Sequence, residues 1–533
     1  MNNQSSMKCL LISLQSNANV NAVKYIAANV RDKGHSARIL LLPGYLEPAL
    51  SPAIEDFIRD YNPDLIGISL MSFEFFPSKN LSLLLRKKFR IPIIWGGVHP
   101  TMKPEECLKY ADYVCVGEGE KVIVSLLEHI RDRGRHVPPE LPNVWVNNKG
   151  TIIKQPVGPP EEDLDSLPFK EYLPDYFYVF HKEKILNLAE NQGLLRKYAL
   201  YGGISHMITT SRGCPLHCAF CGNSFLMNVY GKKIRKRSVE NVISELKEAR
   251  KYPNVLYINI EDDCFIAHTR EWIQKFCDEY KRHINLPFMV RVIPTMLDRK
   301  KLSMLRDAGL SGILMGIQSG SDRVNFEVYN RRIRFPSVMK AEEMIVDAGV
   351  ALYLELIVDN PYETEQDMME TVDSISRLKK PYVISLAHLT FFPGTPLAER
   401  ALNDRIIDRD AYLYRYLGKI DETYLNKLLW MTPYVPRSLV KYLNKPGASR
   451  KRIHALLVNV LDFVVKRSAE PAVYLFIVTR SLHYKLNWTA KIVLANWRTA
   501  LSKLIFNYLG MGDLEYDQKL SLARKKMPEL FES

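Results

Sequence analysis

Short apolar runs alternate with amphipathic stretches along the first quarter of the chain. The runs at 8–13, 37–42, 64–71, 91–95 and 113–116 are too continuously apolar for strands with one wet face, and they fit strands buried in a parallel sheet. The stretches at 21–33, 53–61, 79–89 and 121–131 place apolar residues three or four positions apart, which predicts helices. This alternation predicts an open, doubly wound α/β sheet over residues 7–135. A Pro- and charge-rich stretch then begins a connector at 136–203. Within it, Asn147-Asn148-Lys149-Gly150 predicts a hairpin turn. Its aromatics Tyr172, Tyr176, Phe177 and Tyr178 either pack into a linker or lie over a cleft.

The βα rhythm resumes at 204–400. Strands are predicted at 204–210, 255–260, 288–291, 312–317, 351–358 and 383–389, with helices at 239–251, 299–308, 337–348 and 365–378. Repeated units of this kind predict a partial (β/α)6 barrel, with chemistry at the strand carboxyl ends. Residues 401–533 read as a helical C-terminal region, with helices at 425–431, 452–466, 471–485 and 490–508.

Composition adds little to the fold and something to the partners. The 533 residues are 47% hydrophobic and 25% charged, ordinary for a globular protein of several domains. No apolar run approaches a spanning helix and no secretory pattern opens the chain, so a cytoplasmic protein is expected. The net charge is +14, and residues 437–510 alone hold thirteen Lys and Arg against Asp462 and Glu470. That segment also carries Trp488, Trp497, Phe506 and Tyr508. Basic helices with interleaved aromatics lie on anionic membranes, bind acidic partners, or form a cap over the barrel mouth with lysines in water.

The chemistry concentrates in Ser211-Arg212-Gly213-Cys214-Pro215-Leu216-His217-Cys218-Ala219-Phe220-Cys221-Gly222. Three cysteines in CxxxCxxC spacing on a Gly/Pro-marked loop suit a 4Fe-4S cluster, leaving one iron open for a substrate-like ligand. A zinc site is the alternative, with His217 as fourth ligand, although the separated cysteine pairs usual for zinc are missing. The other cysteines, Cys9, Cys107, Cys115, Cys264 and Cys277, are scattered among apolar residues and read as core.

With Phe220 before the last cysteine, the loop resembles the radical S-adenosylmethionine (SAM) superfamily. The resemblance implies that Cys214, Cys218 and Cys221 hold the cluster, and that its open iron chelates SAM and cleaves it to a 5′-deoxyadenosyl radical. It further implies SAM contacts from Phe220 and from the strand ends. Glu261 and Asp262 stand where the family has a Gly-Gly-Glu-like element. Gln318 and Ser319 belong to Gly316-Ile317-Gln318-Ser319-Gly320-Ser321, which with Tyr329-Asn330-Arg331 resembles a GxxSGS…NR element. Gln318 departs from a frequent Glu, and Arg331 suits a carboxylate unless it is a surface arginine.

Three loops at predicted strand ends precede this motif. They are Ser69-Leu70-Met71-Ser72, Gly96-Gly97-Val98-His99-Pro100-Thr101 and Gly117-Glu118-Gly119-Glu120. Together they resemble the cobalamin-binding domain of cobalamin-dependent radical SAM enzymes, which implies cobalamin contacts from Ser69, Ser72, Gly96, Gly97, His99, Thr101, Gly117 and Glu118. A buried or solvent-facing His99 is the alternative. The loop after the first strand, Gln15 to Val20, has no histidine, so no cobalt ligand is expected from it.

The fold expected is thus α/β: a Rossmann-like cobalamin-binding domain, a radical SAM barrel and a helical C-terminal region. The function expected is methylation of an unactivated carbon in a small-molecule or lipid-like substrate. The alternatives are a non-methylating cyclase or oxidoreductase and a non-catalytic cobalamin-binding regulator. A reductant such as flavodoxin or ferredoxin is expected, with peripheral membrane contact through the C-terminal helices as a further expectation and no nucleic acid partner. A methylthiotransferase is disfavoured, because no second cysteine triad precedes the first.

Overall fold

The computed structural model describes residues 5–148, 150–408, 420–482 and 516–531. The helix expected at 490–508, with Trp488, Trp497, Phe506 and Tyr508, lies outside them, as do Lys149 in the expected turn and 483–485 of the helix before.

Five parallel strands centre the N-terminal sheet: β1 (Lys8–Ser13), β2 (Ser36–Leu41), β3 (Leu65–Ser69), β4 (Ile93–Gly96) and β5 (Tyr113–Cys115). They lie in the order β5-β4-β3-β1-β2. Because side chains alternate along a strand, each strand feeds two layers. Leu10, Ile12, Ile66, Ile68 and Trp95 pack with the helices Pro52–Tyr61 and Phe75–Lys88. Cys9, Leu11, Leu65, Ile94 and Cys115 pack on the other face with the helices Asn21–Asp32 and Glu120–Arg133. Two covered faces explain the near-continuous apolar runs. The second face also shares one core with the barrel, through Ile208, Ile258, Val290 and Ile313.

Residues 136–203 lead to the barrel and add four strands to the sheet on the way. β6 (Val144–Asn148) and β7 (Thr151–Lys154) form the hairpin expected from the turn signal and extend the β5 edge. β8 (Phe177–His181) runs parallel to β2, and β9 (Lys184–Asn187) pairs with β8 at the far edge. Tyr172, Tyr176 and Phe177 are buried in the core, as a packed segment requires.

β10 (Ser205–Ile208) opens the barrel. A short antiparallel pair, β11 (Ser211–Arg212) and β12 (Arg235–Lys236), brackets the cysteine loop. β13 (Tyr257–Ile260), β14 (Phe288–Val292), β15 (Leu310–Gln318), β16 (Ala351–Val358) and β17 (Val383–His388) complete a six-stranded parallel sheet with β10, in chain order. Four of its helices start on polar caps: Ser238, Thr269, Asp298 and Thr364 each accept from the backbone N–H of the third helical residue.

The helices Tyr424–Met431, Arg437–Leu443, Arg452–Arg467 and Ala469–Leu482 follow. Their contacts divide between the two ends of the barrel: Asn426 Nδ2 donates to Asp359 Oδ1 (2.6 Å) just past the carboxyl end of β16, while the later helices reach the other end. Arg480 Nη2 donates to Val346 O (3.1 Å), and Lys380 Nζ donates to Val435 O (2.6 Å), both beside the amino ends of β16 and β17. Residues 516–531 return to the N-terminal domain. Ala523, Met527 and Leu530 are buried against its first layer, Phe531 packs on Phe76 at 4.6 Å, and Lys79 Nζ donates to Leu530 O.

Candidate active site

The cysteine loop is held from three sides. Ala219 N donates to Tyr329 O (2.8 Å), Leu397 N donates to Ala219 O (2.9 Å), and Asn330 Nδ2 donates to His217 O (3.1 Å). The Phe220 ring meets Tyr329 edge-on at 5.0 Å. Cys218 is buried, Cys214 and Cys221 are half-buried, and none forms a disulfide. Burial raises the thiol pKa of Cys214 and pushes that of Cys221 up to about 12, and the neighbouring thiols add to both. His217, between the first two cysteines, is exposed. The five remaining cysteines are all buried, as core residues.

Around the loop, the carboxyl ends of the barrel strands carry polar groups. Arg331, nearly fully buried, donates through Nη1 to Cys218 Sγ (3.4 Å) and through Nη2 to Gly316 O (2.6 Å). It is therefore not a surface arginine. A Cβ on Gly316 would sit 2.6 Å from Gln318 Nε2 and 3.6 Å from Arg331 Nη2, so the glycine makes room for both. Gln318, Asn330 and Asp359 have left-handed backbones (φ +71°, +48° and +59°), a strain that gathers at functional sites.

Two of the sequence candidates have their polar atoms turned into the protein. Both Asp262 oxygens are taken by the backbone and hydroxyls of Thr210 and Ser211, with His268 Nε2 3.6 Å away. Asp262 fixes the chain leading into the cysteine loop. Ser319 bonds Thr371 and Glu363 and holds its turn against the helix Glu365–Ser376. Glu261 instead pairs with Arg291, and Arg291 also feels the charge of Glu355.

In the N-terminal domain, a cavity of about 320 Å³ lies at the sheet's carboxyl ends. Ser69, Gly96, Gly97, Gly117 and Glu118 line it, and Thr209, Arg212 and Tyr230 close it from the barrel side. Gly97 has φ +104°, and a Cβ there would lie 2.7 Å from Leu70 O, so this turn admits only glycine. Ser72, His99 and Thr101 stand behind the wall. His99 Nδ1 and Ser72 Oγ are 3.0 Å apart, and burial lowers the His99 pKa to about 3, so the ring is neutral. Thr101 Oγ1 donates to Gly97 O and accepts from Gly117 N, tying two of the glycine loops together. The loop lacking a histidine packs on 198–200: Ala18 N donates to Tyr198 O, and Leu200 N donates to Asn19 Oδ1.

Glu118 joins the two domains. It accepts from Arg212 Nη1 (2.8 Å), Arg235 Nη2 (2.7 Å), Arg235 Nη1 (3.0 Å) and Glu161 N (3.0 Å). Arg212 also donates to Glu120 (2.6 Å). Burial raises the Glu118 pKa, but the hydrogen bonds and charges of Arg235 and Arg212 outweigh it and the net shift is downward.

Residues 7–127 match the B12 binding domain, and residues 208–375 match the radical SAM superfamily. The chain thus carries a B12-binding domain followed by a radical SAM domain. It is 24% identical over 389 residues to an uncharacterized methyltransferase of Pyrococcus horikoshii, covering 72% of this chain and 78% of the relative. It is 22% identical to the cytidylyl-2-hydroxyethylphosphonate methyltransferase of Streptomyces wedmorensis, with 74% and 80% covered. It is 23% identical to the hopanoid C-3 methylase of Methylococcus capsulatus, with 70% and 67% covered. The solved structure of the cobalamin-dependent SAM radical enzyme OxsB with aqua-cobalamin shares the fold, with a TM-score of 0.63 at 16% identity, over 98% of this chain and 84% of that one.

The cofactors that these two domains imply fit the residues present. Three unpaired thiols beside a buried guanidinium suit a cluster with an exchangeable ligand, since Arg331 Nε has no protein partner. The glycine-walled cavity suits one arm of a corrinoid, where backbone must approach closely. Arg291 and Glu355 were not singled out as site residues from the sequence. The available signal was a charge inside an otherwise apolar strand, since both sit on the half-exposed, alternating positions of β14 and β16.

Proposed function

We propose that this enzyme methylates an unactivated carbon of a small molecule, lipid-like in character, in the cleft between its two domains. The observation that carries the reading is a cavity walled by both domains, with Arg212 in its wall two residues before Cys214. When bound, the cluster, SAM and cobalamin supply hydrogen-atom abstraction and methyl transfer. Cys214, Cys218 and Cys221 hold the cluster. Arg331, Gln318 and Glu261 orient SAM, with Phe220 packing beside it. Asp262 and Ser319 keep the loops around it in place. Ser69, Gly96, Gly97, Gly117 and Glu118 receive cobalamin, while Ser72, His99 and Thr101 brace the loops that do so. The relatives act on substrates as different as a phosphonate and a hopanoid, so the reaction type is better supported than the substrate. A flavodoxin or ferredoxin supplies the electron, and contact with a membrane surface is peripheral. Among the described residues no helix is long and apolar enough to cross a bilayer.

The test is anaerobic incubation of cobalamin-loaded protein with methyl-labelled SAM, a reductant and fractionated lipid and small-molecule extracts. Release of 5′-deoxyadenosine with label in a product supports methylation. Product without label would establish the cyclase or oxidoreductase reading, and no SAM cleavage would leave a regulator.

A further inference from the structure

The helix Arg452–Arg467 is packed inside out. His454, Val458, Asp462 and Val465 face the protein. Ile453, Leu456, Leu457, Val460, Phe463 and Val464 face water, Ile453 at 74% and Leu456 at 64% exposure. They recur at three- and four-residue steps and so form one continuous stripe. The next helix, Ala469–Leu482, adds exposed Leu475 and Phe476. Single exposed apolar residues are ordinary, but an aligned set of this size marks a contact surface.

The exposed charges carried by this stretch of chain itself are of one sign. Lys441, Lys445, Arg450, Lys451 and Arg452 are exposed before it, and Lys466 and Arg467 at its end. Among the described residues from 437 to 482 no Asp or Glu is exposed. Asp462 is buried and accepts from Lys466 at 2.8 Å, and Glu470 is half-buried. The Arg467 guanidinium lies over the Phe463 ring at 3.6 Å, so charge and apolar surface meet within one patch. An acidic protein would match the charge without needing so many aliphatic contacts. An anionic bilayer matches both, taking the stripe at the headgroup boundary and the lysines and arginines at its phosphates.

We propose that this face docks the enzyme on the surface of an anionic phospholipid bilayer. The inference deepens the peripheral membrane contact proposed above and is independent of the proposed chemistry, so its failure would leave the methylation reading intact.

Full-length protein is floated with phosphatidylcholine vesicles and, separately, with vesicles of phosphatidylcholine mixed with phosphatidylglycerol. Flotation with the anionic vesicles is expected, weakening as salt rises, with little on phosphatidylcholine alone. The double variant Leu456→Asp/Phe463→Asp is expected to bind about tenfold more weakly or worse, with unchanged circular dichroism and iron content because both side chains are exposed. Parent protein that stays soluble with both vesicle types overturns the proposal, as does a folded double variant that floats like the parent. A concentration-dependent dimer that the same variant abolishes, without vesicle binding, would make the face a contact between copies and would equally overturn it.

Discussion

The substitution Glu118→Gln tests the joint between the two domains. It keeps the shape of the side chain and removes its charge. Three of its four hydrogen bonds come from guanidinium groups. A hydrogen bond to a charged group is worth about 1.5–3 kcal/mol against roughly 0.5–1.5 for a neutral pair, so each of the three weakens by roughly 1 kcal/mol. Arg212 keeps Glu120 as a second partner. Arg235, whose side chain is only 4% exposed, has Glu118 as its ion-pair partner and loses its counter-charge. Breaking one side of a buried pair costs about 3–5 kcal/mol. The two routes agree on a loss of about 3 kcal/mol. Urea unfolding followed by tryptophan fluorescence would read it as an early transition, with SAXS reporting whether the domains separate first. A double-mutant cycle with Arg235→Met should recover part of the loss, because both single variants remove one interaction. The pH dependence has a definite sign. The folded Glu118 pKa lies below its ordinary value, so its contribution is present above the carboxylate range and is lost as pH falls through the folded pKa. The parent should therefore open its domain joint in acid, and Glu118→Gln should have lost that acid response. A loss under about 0.5 kcal/mol, of the size expected for an exposed pair, or strict additivity in the cycle, would refute the reasoning.

Other outcomes follow from single sites. Gly97→Ala forces an L side chain into φ +104° with its Cβ 2.7 Å from Leu70 O; it should cost about 1–3 kcal/mol and weaken corrinoid retention measured by absorbance after desalting. Cys218→Ala, purified without air, should lose most of its iron and all SAM cleavage. Arg331→Met removes a positive charge 3.4 Å from Cys218 Sγ and should move the cluster potential in the negative direction in EPR-monitored titration, since that charge favours the reduced cluster. Leu530→Ala should destabilise the N-terminal domain by about 2–5 kcal/mol, the range for truncating a buried leucine, in chemical denaturation.

The pattern along the chain reveals the strands because burial on two faces leaves apolar runs such as those of β1 and β3, and it reveals the cluster loop because three cysteines in fixed spacing are visible without a fold. What it hides is pairing over distance. β8 lies beside β2, from which it is separated by most of the N-terminal domain, and nothing local to Phe177–His181 names that partner. The same limit applies to the site. Asp262 and Ser319 stand at strand ends where a ligand contact is expected, yet neighbours far along the chain, Thr210 and Thr371, take their oxygens. Glu118 reads as a loop residue beside glycines, and its carboxylate is drawn to Arg212 and Arg235, in the other domain.

The return of residues 516–531 to the first domain has a consequence for biosynthesis. The surface of the helix Phe75–Lys88 is made early, but the residues that cover it, Met527 and Leu530 among them, are translated after the whole barrel, and Lys79 meets Leu530 across 451 residues of sequence. The nascent domain therefore carries an uncovered apolar patch until the last residues of the barrel and the C-terminal region have been made.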